Sequence, residues 1–489
     1  MSLGWLRRIS HRDAGRVVAT MALAVLLAVL TLGTFGAGRA SADGEKFTVA
    51  TDTTFAPFEF QDKQGNFVGI DMDLIRAIAE DQKFSVDIKP LGFDAALQAV
   101  QANQVDGVIA GMSITDKRKQ VFDFSEPYFE SGIQMAVLKT NSAIKSYEDL
   151  RGLRVAVKNG TQGATFANSI KEKYGFQVVS FADSSSMFDE VKTGNSVAVF
   201  EDYPVLLYGI AQGNGFKTVT PKEEPTGYGF AVNKGRNAEL ISKFNAGLNN
   251  LRKSGRYDEI VGKYLGADAA NDDNSFVGLI KSTSPMLLQG LKMTVILTVI
   301  SIAIALVLGV VFGLFRVSRS IVLRGIGTAF VDIFRGTPLL VQAFFIYFGV
   351  PSALGFQMSA ITAGIITLSL NAGAYMTEIV RGGIQSVDKG QMEAARSLGI
   401  AYLPTMRRVI LPQAIRTMIP SYINQFVITL KDTSILSVIG IAELTQTGRI
   451  IIAGNFQSFK MWLIIGIIYF IVIMALTKLS DRLEKRIVK

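Results

Sequence analysis

Cysteine is absent from all 489 residues, and histidine occurs once, at His11. The missing cysteine excludes disulfides, zinc–thiolate sites, a thiol nucleophile and a lipid-anchored cysteine behind a signal peptide. With its one histidine near the N-terminus, the chain has no Ser-His-Asp triad to offer. A G-x-x-x-x-G-K-[ST] phosphate loop is also missing. The nearest fragment, Gly262-Lys263-Tyr264, lacks the hydroxyl residue. ATP hydrolysis, if the chain depends on it, is therefore expected from a separate protein. No motif calls for a cofactor or a metal, and none is expected. The net charge is +9, but the basic residues do not form a stripe interleaved with aromatics, so no nucleic-acid partner is expected.

Hydrophobic residues make up 49% of the chain, unevenly spread. Residues 45–275 carry charge throughout, whereas 285–480 hold long apolar runs with few charges. The two parts need different solvents. Ahead of both, residues 1–42 read as a secretory signal: Arg7, Arg8, Arg12 and Arg16, then apolar Val17 to Leu32, then Ala40-Ser41-Ala42 as a small-residue cleavage site. An uncleaved anchor helix is the alternative, because the apolar stretch is close to the minimum for spanning, about 17 residues. Either reading puts residue 43 onward outside the cytoplasm.

Residues 43–270 alternate strand and helix. Phe47 to Ala50, Ser85 to Ile88 and Gly107 to Ala110 read as strands, with helices after Gly69 and at Asp94 to Ala102. The pattern restarts at Arg154: strands Val155 to Val157, Val178 to Ser180 and Ser196 to Phe200, with helices at Gly163 to Lys173 and Met187 to Thr193. Two similar α/β blocks in series predict two lobes with a cleft between them. Open α/β sheets bind ligands beyond the carboxyl ends of their strands. Asp52 follows the first strand, and Gly111 and Ser113 the third, with Arg118 just beyond. Lys158 and Thr161 follow the strand that opens the second block, and Glu201 and Asp202 its last strand. Phe55 and Phe93 add aromatic surface. Alone, each also reads as a surface charge, a cap or core. Their recurrence at one topological place in both blocks favours a site. A guanidinium for a carboxylate and acids for an ammonium suit an amino-acid zwitterion, whose two charges must both be paired once desolvated.

The segments Ala50-Thr51-Asp52-Thr53-Thr54-Phe55-Ala56-Pro57-Phe58-Glu59-Phe60, Gly69-Ile70-Asp71-Met72-Asp73-Leu74 and Gly111-Met112-Ser113-Ile114-Thr115-Asp116-Lys117-Arg118 resemble polar amino-acid-binding proteins of bacterial ABC importers. Phe122-Asp123-Phe124-Ser125-Glu126-Pro127-Tyr128 and Gly227-Tyr228-Gly229-Phe230-Ala231-Val232 extend the likeness across about 45–267. The resemblance implies a two-lobed fold that closes on its ligand, with hinge strands near Gln134 and Phe230. It implies that Arg118 takes the ligand carboxylate and Asp202 the α-ammonium. Gly111 and Ser113 would add hydrogen bonds, and Phe55 and Phe93 would sandwich the aliphatic stem. Asp52, Lys158, Thr161 and Gln162 would face the side-chain end.

A polar linker, 271–284, is expected before a membrane domain at 285–489. Apolar spans fall at about 287–315, 325–350, 358–380, 414–441 and 460–478, each long enough for a bilayer core of about 30 Å. Arg316, Arg319 and Arg324, then Arg381, Lys389, Arg396, Arg407 and Arg408, then Lys478, Arg482, Lys485, Arg486 and Lys489 place the basic segments inside. Arg449, in the last external loop, is the exception. The cytoplasmic stretch 385–412 contains Glu393-Ala394-Ala395-Arg396-Ser397-Leu398-Gly399 and ends Val409-Ile410-Leu411-Pro412. It resembles the EAA loop of ABC importer permeases, with Val409 where isoleucine is commoner. Arg335-Gly336-Thr337-Pro338-Leu339 and Asn371-Ala372-Gly373-Ala374-Tyr375 resemble the polar amino-acid permease subfamily. This implies a coupling helix, with Glu393, Ala394, Ala395 and Gly399, that docks on a cytoplasmic ABC ATPase. It also implies two permease domains per transporter. Only one is present in the chain, so a homodimer in the cell membrane is expected.

The expected architecture is thus an α/β two-lobed periplasmic-binding-type domain followed by an all-α transmembrane permease domain of about five helices. The expected function is capture and translocation of an amino acid in an ATP-driven importer. A ligand-gated ion channel is the runner-up, but no selectivity sequence is visible. An enzyme built on the binding fold is disfavoured by the missing histidine and cysteine. Lys158 opposes a cationic ligand tip and Glu201 a second negative charge, which favours glutamine over glutamate. Asp52 is compatible with a cationic tip, so arginine or another basic amino acid stays open.

Overall fold

The computed structural model describes residues 45–62, 65–265 and 276–487. The expected leader, 1–42, lies outside the described residues. The α/β half opens with β1 (Lys46–Thr51), the hairpin β2 (Phe60–Gln61) and β3 (Phe67–Val68), then β4 (Ser85–Pro90), β5 (Gly107–Val108) and β6 (Phe122–Phe124). β1 lies parallel to both β4 and β5. Helices Ile70–Asp81 and Phe93–Gln101 make the crossovers that parallel pairing requires. Ile70, Leu74, Ile75 and Ile78 share one face of the first helix and are fully buried. Each such side chain contributes about 1.5–3 kcal/mol by leaving water.

The second lobe is built from β7 (Phe129–Leu138), β8 (Arg154–Lys158), β9 (Gln177–Phe181), β10 (Ala198–Asp202), β11 (Phe216–Thr218) and β12 (Glu223–Tyr228). Its sheet runs β11-β7-β10-β8-β9, with β12 on the other part of β7. The chain then returns as β13 (Ala231–Asn233) to the first sheet, whose order is β4-β1-β5-β13-β6. The first crossing therefore lies between Phe124 and Phe129, earlier than the expected hinge at Gln134. Gln134 is already opposite Glu201 in the second sheet. The return crossing falls at the expected Phe230, where Phe230 stacks on Phe244 of helix Ala238–Ser254 at 4.8 Å.

Among the described residues of the C-terminal half, three helices are long and apolar enough to cross a membrane, and up to five spans arise if each bent pair counts as one. The helix Phe276–Arg316 starts inside the stretch expected as linker. Leu279, Met286 and Leu287 recruit those turns by packing with Leu444 and Ile450. The expected span 325–350 is in fact two helices, Ile321–Gly336 and Leu339–Leu354, bent by 103°. Pro338 supplies no N–H and forces extended backbone on Thr337, at φ −118° and ψ 144°. The side-chain amide of Gln342 repairs the break, donating to Phe334 O at 2.8 Å and to Thr337 O at 3.1 Å.

The helix Phe276–Arg316 packs along Ala360–Gln385, the most extensive helix pairing in the chain. A Cβ on Gly309 would sit 2.5 Å from Met376 Cβ, and one on Gly313 2.6 Å from Val380 Cβ. Small residues at this spacing let two backbones approach closely where no water drives the helices together. Arg316 and Arg381 both reach Glu378 at the end of this contact, at 3.2 and 2.8 Å.

The α/β half sits on the helical half through both lobes. Gln104 donates to Phe356 O at 3.2 Å and accepts from Met358 N at 3.1 Å. On the second lobe, Lys192 donates to Phe456 O at 2.9 Å and Asp189 accepts from Ser458 Oγ. Gly440 comes so near the first lobe that a Cβ there would lie 2.3 Å from Leu91 Cδ2.

Gly309→Leu is expected to destabilise the helical half by about 1–3 kcal/mol through overpacking. The readout is an earlier thermal transition of the detergent-solubilised chain. Gly325→Ala, where nothing lies within 4 Å of the added Cβ, serves as the neutral control. Equal melting of the two variants would remove the close-packing account.

Candidate ligand-binding cleft

Four strand ends converge between the lobes. β1 delivers Asp52, β5 leads into Gly111 and Ser113, β8 ends on Lys158 and β10 on Asp202. The cleft is lined by Phe55, Phe93, Gly111, Ser113, Arg118, Lys158, Thr161, Gln162 and Asp202, together with Ala110. All the expected site residues except Asp52 are thus in its wall, and Asp52 lies directly behind, ion-paired with Lys158. The space left between the lobes is about 10 Å3.

The Lys158 ammonium is buried with Asp52 as its hydrogen-bond acceptor, which bridges the lobes. Its Nζ also lies 4.9 Å from the centre of the Phe55 ring and 5.6 Å from that of Phe93. Burial alone would lower the lysine pKa, but the carboxylates of Asp52, Glu201 and Glu59 together more than reverse this and hold the ammonium charged. In this closed arrangement Lys158 is therefore already in the aromatic sandwich expected for a ligand stem.

Arg118 sits on the short helix Asp116–Lys119, capped by Thr115. Its guanidinium donates to Ser113 O at 2.7 Å and, across the cleft, to Gly160 O at 2.9 Å, and lies 5.5 Å from the Phe93 ring centre. Burial draws its pKa down to about 10, with Asp202 acting against that fall. It stays cationic near neutrality.

Asp202 is buried, and its Oδ1 has no hydrogen-bond partner among the described residues. Burial, and then the neighbouring Glu201 carboxylate, push its pKa up to about 8. Glu201 is raised as well, mainly by burial. Tyr228 lies fully buried in the same region, with its hydroxyl accepting from Ser131 Oγ at 3.0 Å. Sequence reasoning left Tyr228 out of the site, although it stands in the quoted Gly227-Tyr228 segment.

Three of the expected site residues have partners within the protein. Gly111, at φ +53°, gives its N–H to Asp71 Oδ2 at 2.8 Å, so that donor is not free for a ligand. A Cβ there would also strike the Phe55 ring at 2.3 Å. Thr161 caps the helix Gln162–Tyr174, accepting from Ala164 N and donating to Lys158 O at 2.7 Å. Gln162 turns its amide to Glu224 Oε2 at 2.7 Å. Asp71, which no local signal marked, accepts from both Gly111 N and Tyr128 Oη; burial lifts its pKa to about 6.

Residues 47–267 match the bacterial extracellular solute-binding proteins, family 3, and residues 280–489 the binding-protein-dependent transport system inner membrane component. The glutamine transport system permease protein of Escherichia coli strain K12 is 41% identical over 203 residues, which covers 41% of this chain and 93% of that protein. The arginine transport system permease protein of Bacillus subtilis strain 168 is 36% identical over 203 residues, 42% of this chain and 93% of that protein. Among solved structures, substrate binding domain 2 of Lactococcus lactis GlnP is 44% identical, covering 47% of this chain and all of that one, with a TM-score of 0.36.

The raised Asp202 carboxyl has a consequence for stability. The folded state keeps a proton that the unfolded chain releases near the ordinary carboxylate pKa of about 3.9. Its contribution is full at low pH and is lost as pH rises through its folded pKa of about 8. The stability of the α/β half is expected to fall between about pH 4 and about pH 8, by up to about 1.4 kcal/mol per pH unit from this group. Chemical denaturation across that range checks it, and Asp202→Asn should flatten the slope. An unchanged slope removes Asp202 as its source.

Proposed function

On the premise that the chain belongs to the binding-protein-dependent transport system inner membrane components, with a solute-binding domain fused ahead of the permease, we propose that it is the receptor and membrane path of an L-glutamine importer. The binding half stands outside the cell membrane and captures the ligand between its lobes. The permease half passes it inward, and a separate cytoplasmic ABC ATPase supplies the energy.

The observation that carries glutamine is the buried Asp52–Lys158 pair. It supplies a donor and an acceptor with no net charge at the side-chain end of the cleft. A carboxamide complements both, accepting from the ammonium and donating to the carboxylate. A guanidinium would meet Lys158 at short range, and a second carboxylate would meet Asp52 and Glu201. In this reading Arg118 pairs with the α-carboxylate by leaving its carbonyl partners, and Asp202 gives up its proton to pair with the α-ammonium. Phe55 and Phe93 then hold the methylenes, with Lys158 drawn back. Ser113 stays at the carboxylate end, while Gly111, Thr161 and Gln162 shape the walls. The name of the glutamine transport permease at 41% identity points the same way.

Arg118→Ala is expected to weaken glutamine binding by about ten- to a hundred-fold, the equivalent of roughly 1.5–3 kcal/mol for a charge-assisted contact. Calorimetry on the full chain in lipid nanodiscs, with glutamate and arginine as competitors, reads both affinity and selectivity. Wild-type preference for arginine over glutamine would overturn the glutamine reading.

For coupling we assign the helix Lys389–Ser397, capped by Asp388. Glu393 and Ala394 are exposed, Ala395 is buried against the permease, and Leu398 and Leu403 stand out into solvent. Gly399 ends the helix at φ +79°. A single permease domain gives half a path, so two copies are inferred to pair and to face two ATPase subunits. Gly399→Val places a β-branched residue in the left-handed region, at a cost of about 1–2 kcal/mol. In liposomes with the partner ATPase, glutamine-stimulated ATP hydrolysis should fall several-fold while glutamine affinity is unchanged. Full stimulation in the variant would remove this helix from the coupling path.

A further inference from the structure

Arg449 has no place in the reading so far. It is the basic residue that runs against the charge pattern of the outer loops. It lies on the helix Leu444–Asn455, half-buried, and its guanidinium makes one contact among the described residues, 3.9 Å to Asp183 Oδ2 of the second lobe. Beside it is a cavity of about 150 Å3, open on one side, where the α/β half meets the helical half. The first lobe contributes Thr53, Phe93 and Asp94, the second Asp183, and the permease Gln446 and Arg449. This space is distinct from the cleft, yet Phe93 is a wall of both and Asp52 stands between them.

We propose that this cavity is a second, weaker amino-acid site, in which Arg449 takes the carboxylate of a ligand leaving the cleft and Asp94 and Asp183 take its ammonium. Three features carry it. The cavity repeats the donor set of the cleft, one guanidinium opposite carboxylates, with an amide and a hydroxyl alongside. Arg449 is its one cation among the described residues, since the adjoining Lys158 charge is spent on Asp52. The permease wall is also rigidly held. Glu443, fully buried, caps the Leu444–Asn455 helix by accepting from Thr445 N at 2.9 Å and Gln446 N at 2.7 Å, and it accepts from Tyr469 Oη at 3.1 Å. Gln446 in turn donates to Thr53 Oγ1 at 3.2 Å, which pins the first lobe over the cavity. A ligand freed when the lobes part meets this charge set before it meets the apolar spans. Both its charges stay paired on the way.

The inference rests on amino-acid capture in the cleft, and the test separates the two. The full chain in nanodiscs is titrated with radiolabelled L-glutamine, and in parallel with L-arginine. Two sites per chain are expected, the second at least tenfold weaker. Arg118→Ala should weaken the tight site by the ten- to a hundred-fold expected above and leave the affinity of the weak one unchanged. Arg449→Gln should abolish the weak site, keep the tight one and lower ATPase-driven uptake at least tenfold, with Arg449→Lys partly restoring both. One site per chain in the wild type, or a weak site that survives Arg449→Gln, overturns the proposal. A weak site that is lost in Arg449→Gln, without any tight one, overturns the reading of the cleft and, with it, the transfer out of the cleft, and leaves only the Arg449 site. Asp183→Asn removes the charge while an amide oxygen still caps Ser186 N. If it lowers uptake as far as Arg449→Gln does and leaves the weak site intact, Arg449 is a docking contact and the proposal falls.

Discussion

The ion pair between Asp52 and Lys158 holds the closed arrangement of the binding half together. Each partner ends a strand in a different sheet, and both side chains are out of water. Neither charge is tolerable there alone, since desolvating an ion costs several kcal/mol that only a close partner offsets. Parting the lobes lets water reach both, so the pair is worth most when the cleft is shut. The cross-cleft bond from Arg118 to Gly160 and the two aromatic rings over the ammonium follow from the same closure.

Around that pair the fold buries more carboxyl groups than cations. Glu59, Asp71, Glu201 and Asp202 are all buried within this part of the fold, and burial raises the pKa of each. Both Glu59 carboxylate oxygens and one oxygen each of Asp71 and Asp202 are without hydrogen-bond partners among the described residues. Asp202, with its pKa lifted to about 8, keeps its proton at neutral pH. Asp71 plays a different part from Asp202. It bonds Gly111 N and Tyr128 Oη, so it fixes the turn after β5 that puts Ser113 and Arg118 on the cleft wall.

Much of this was legible in the residues. The strands and crossover helices of both lobes showed in the alternation of apolar runs with helical spacing, and strand ends in an α/β sheet name the site. What escaped depended on partners far away in sequence. The donor of Gly111 is lost to Asp71, 40 residues earlier. The register that moves the crossing from Gln134 to before Phe129 comes from pairing with Glu201 and Tyr228. In the membrane half, hydropathy located the spans but smoothed over the break at Pro338, where composition stays apolar while the backbone turns. The start of the first long helix at Phe276 was hidden for a similar reason. Its early turns, apolar at 276–280, are cut off from the long apolar run by Lys281-Ser282-Thr283-Ser284 and are held by contacts with Leu444 and Ile450.

The seating of the binding half bears on how closure and translocation connect. The first lobe rests on the segment after the bent pair, through Gln104 with Phe356 and Met358, and on Gly440. The second lobe rests on the helix Leu444–Asn455 and the residues after it, through Asp183, Lys192 and Asp189. Both lobes touch the Leu444–Asn455 helix, the first through Thr53 and Gln446 and the second through Asp183 and Arg449, while the seats at 356–358 and 456–458 belong to different segments. A rotation that parts the lobes therefore either breaks one set of contacts or carries its segment along. The second-lobe seat joins hydrogen bonds of about 0.5–1.5 kcal/mol each to the edge-on packing of Phe456 against Phe188 at 6.0 Å. The first-lobe seat includes backbone packing at Gly440 with no room for a methyl group. The second-lobe seat adjoins the Leu444–Asn455 helix, which Glu443 ties to Tyr469 of the last long helix. Movement of the second lobe thus has a short path into the membrane half through residues 443–458.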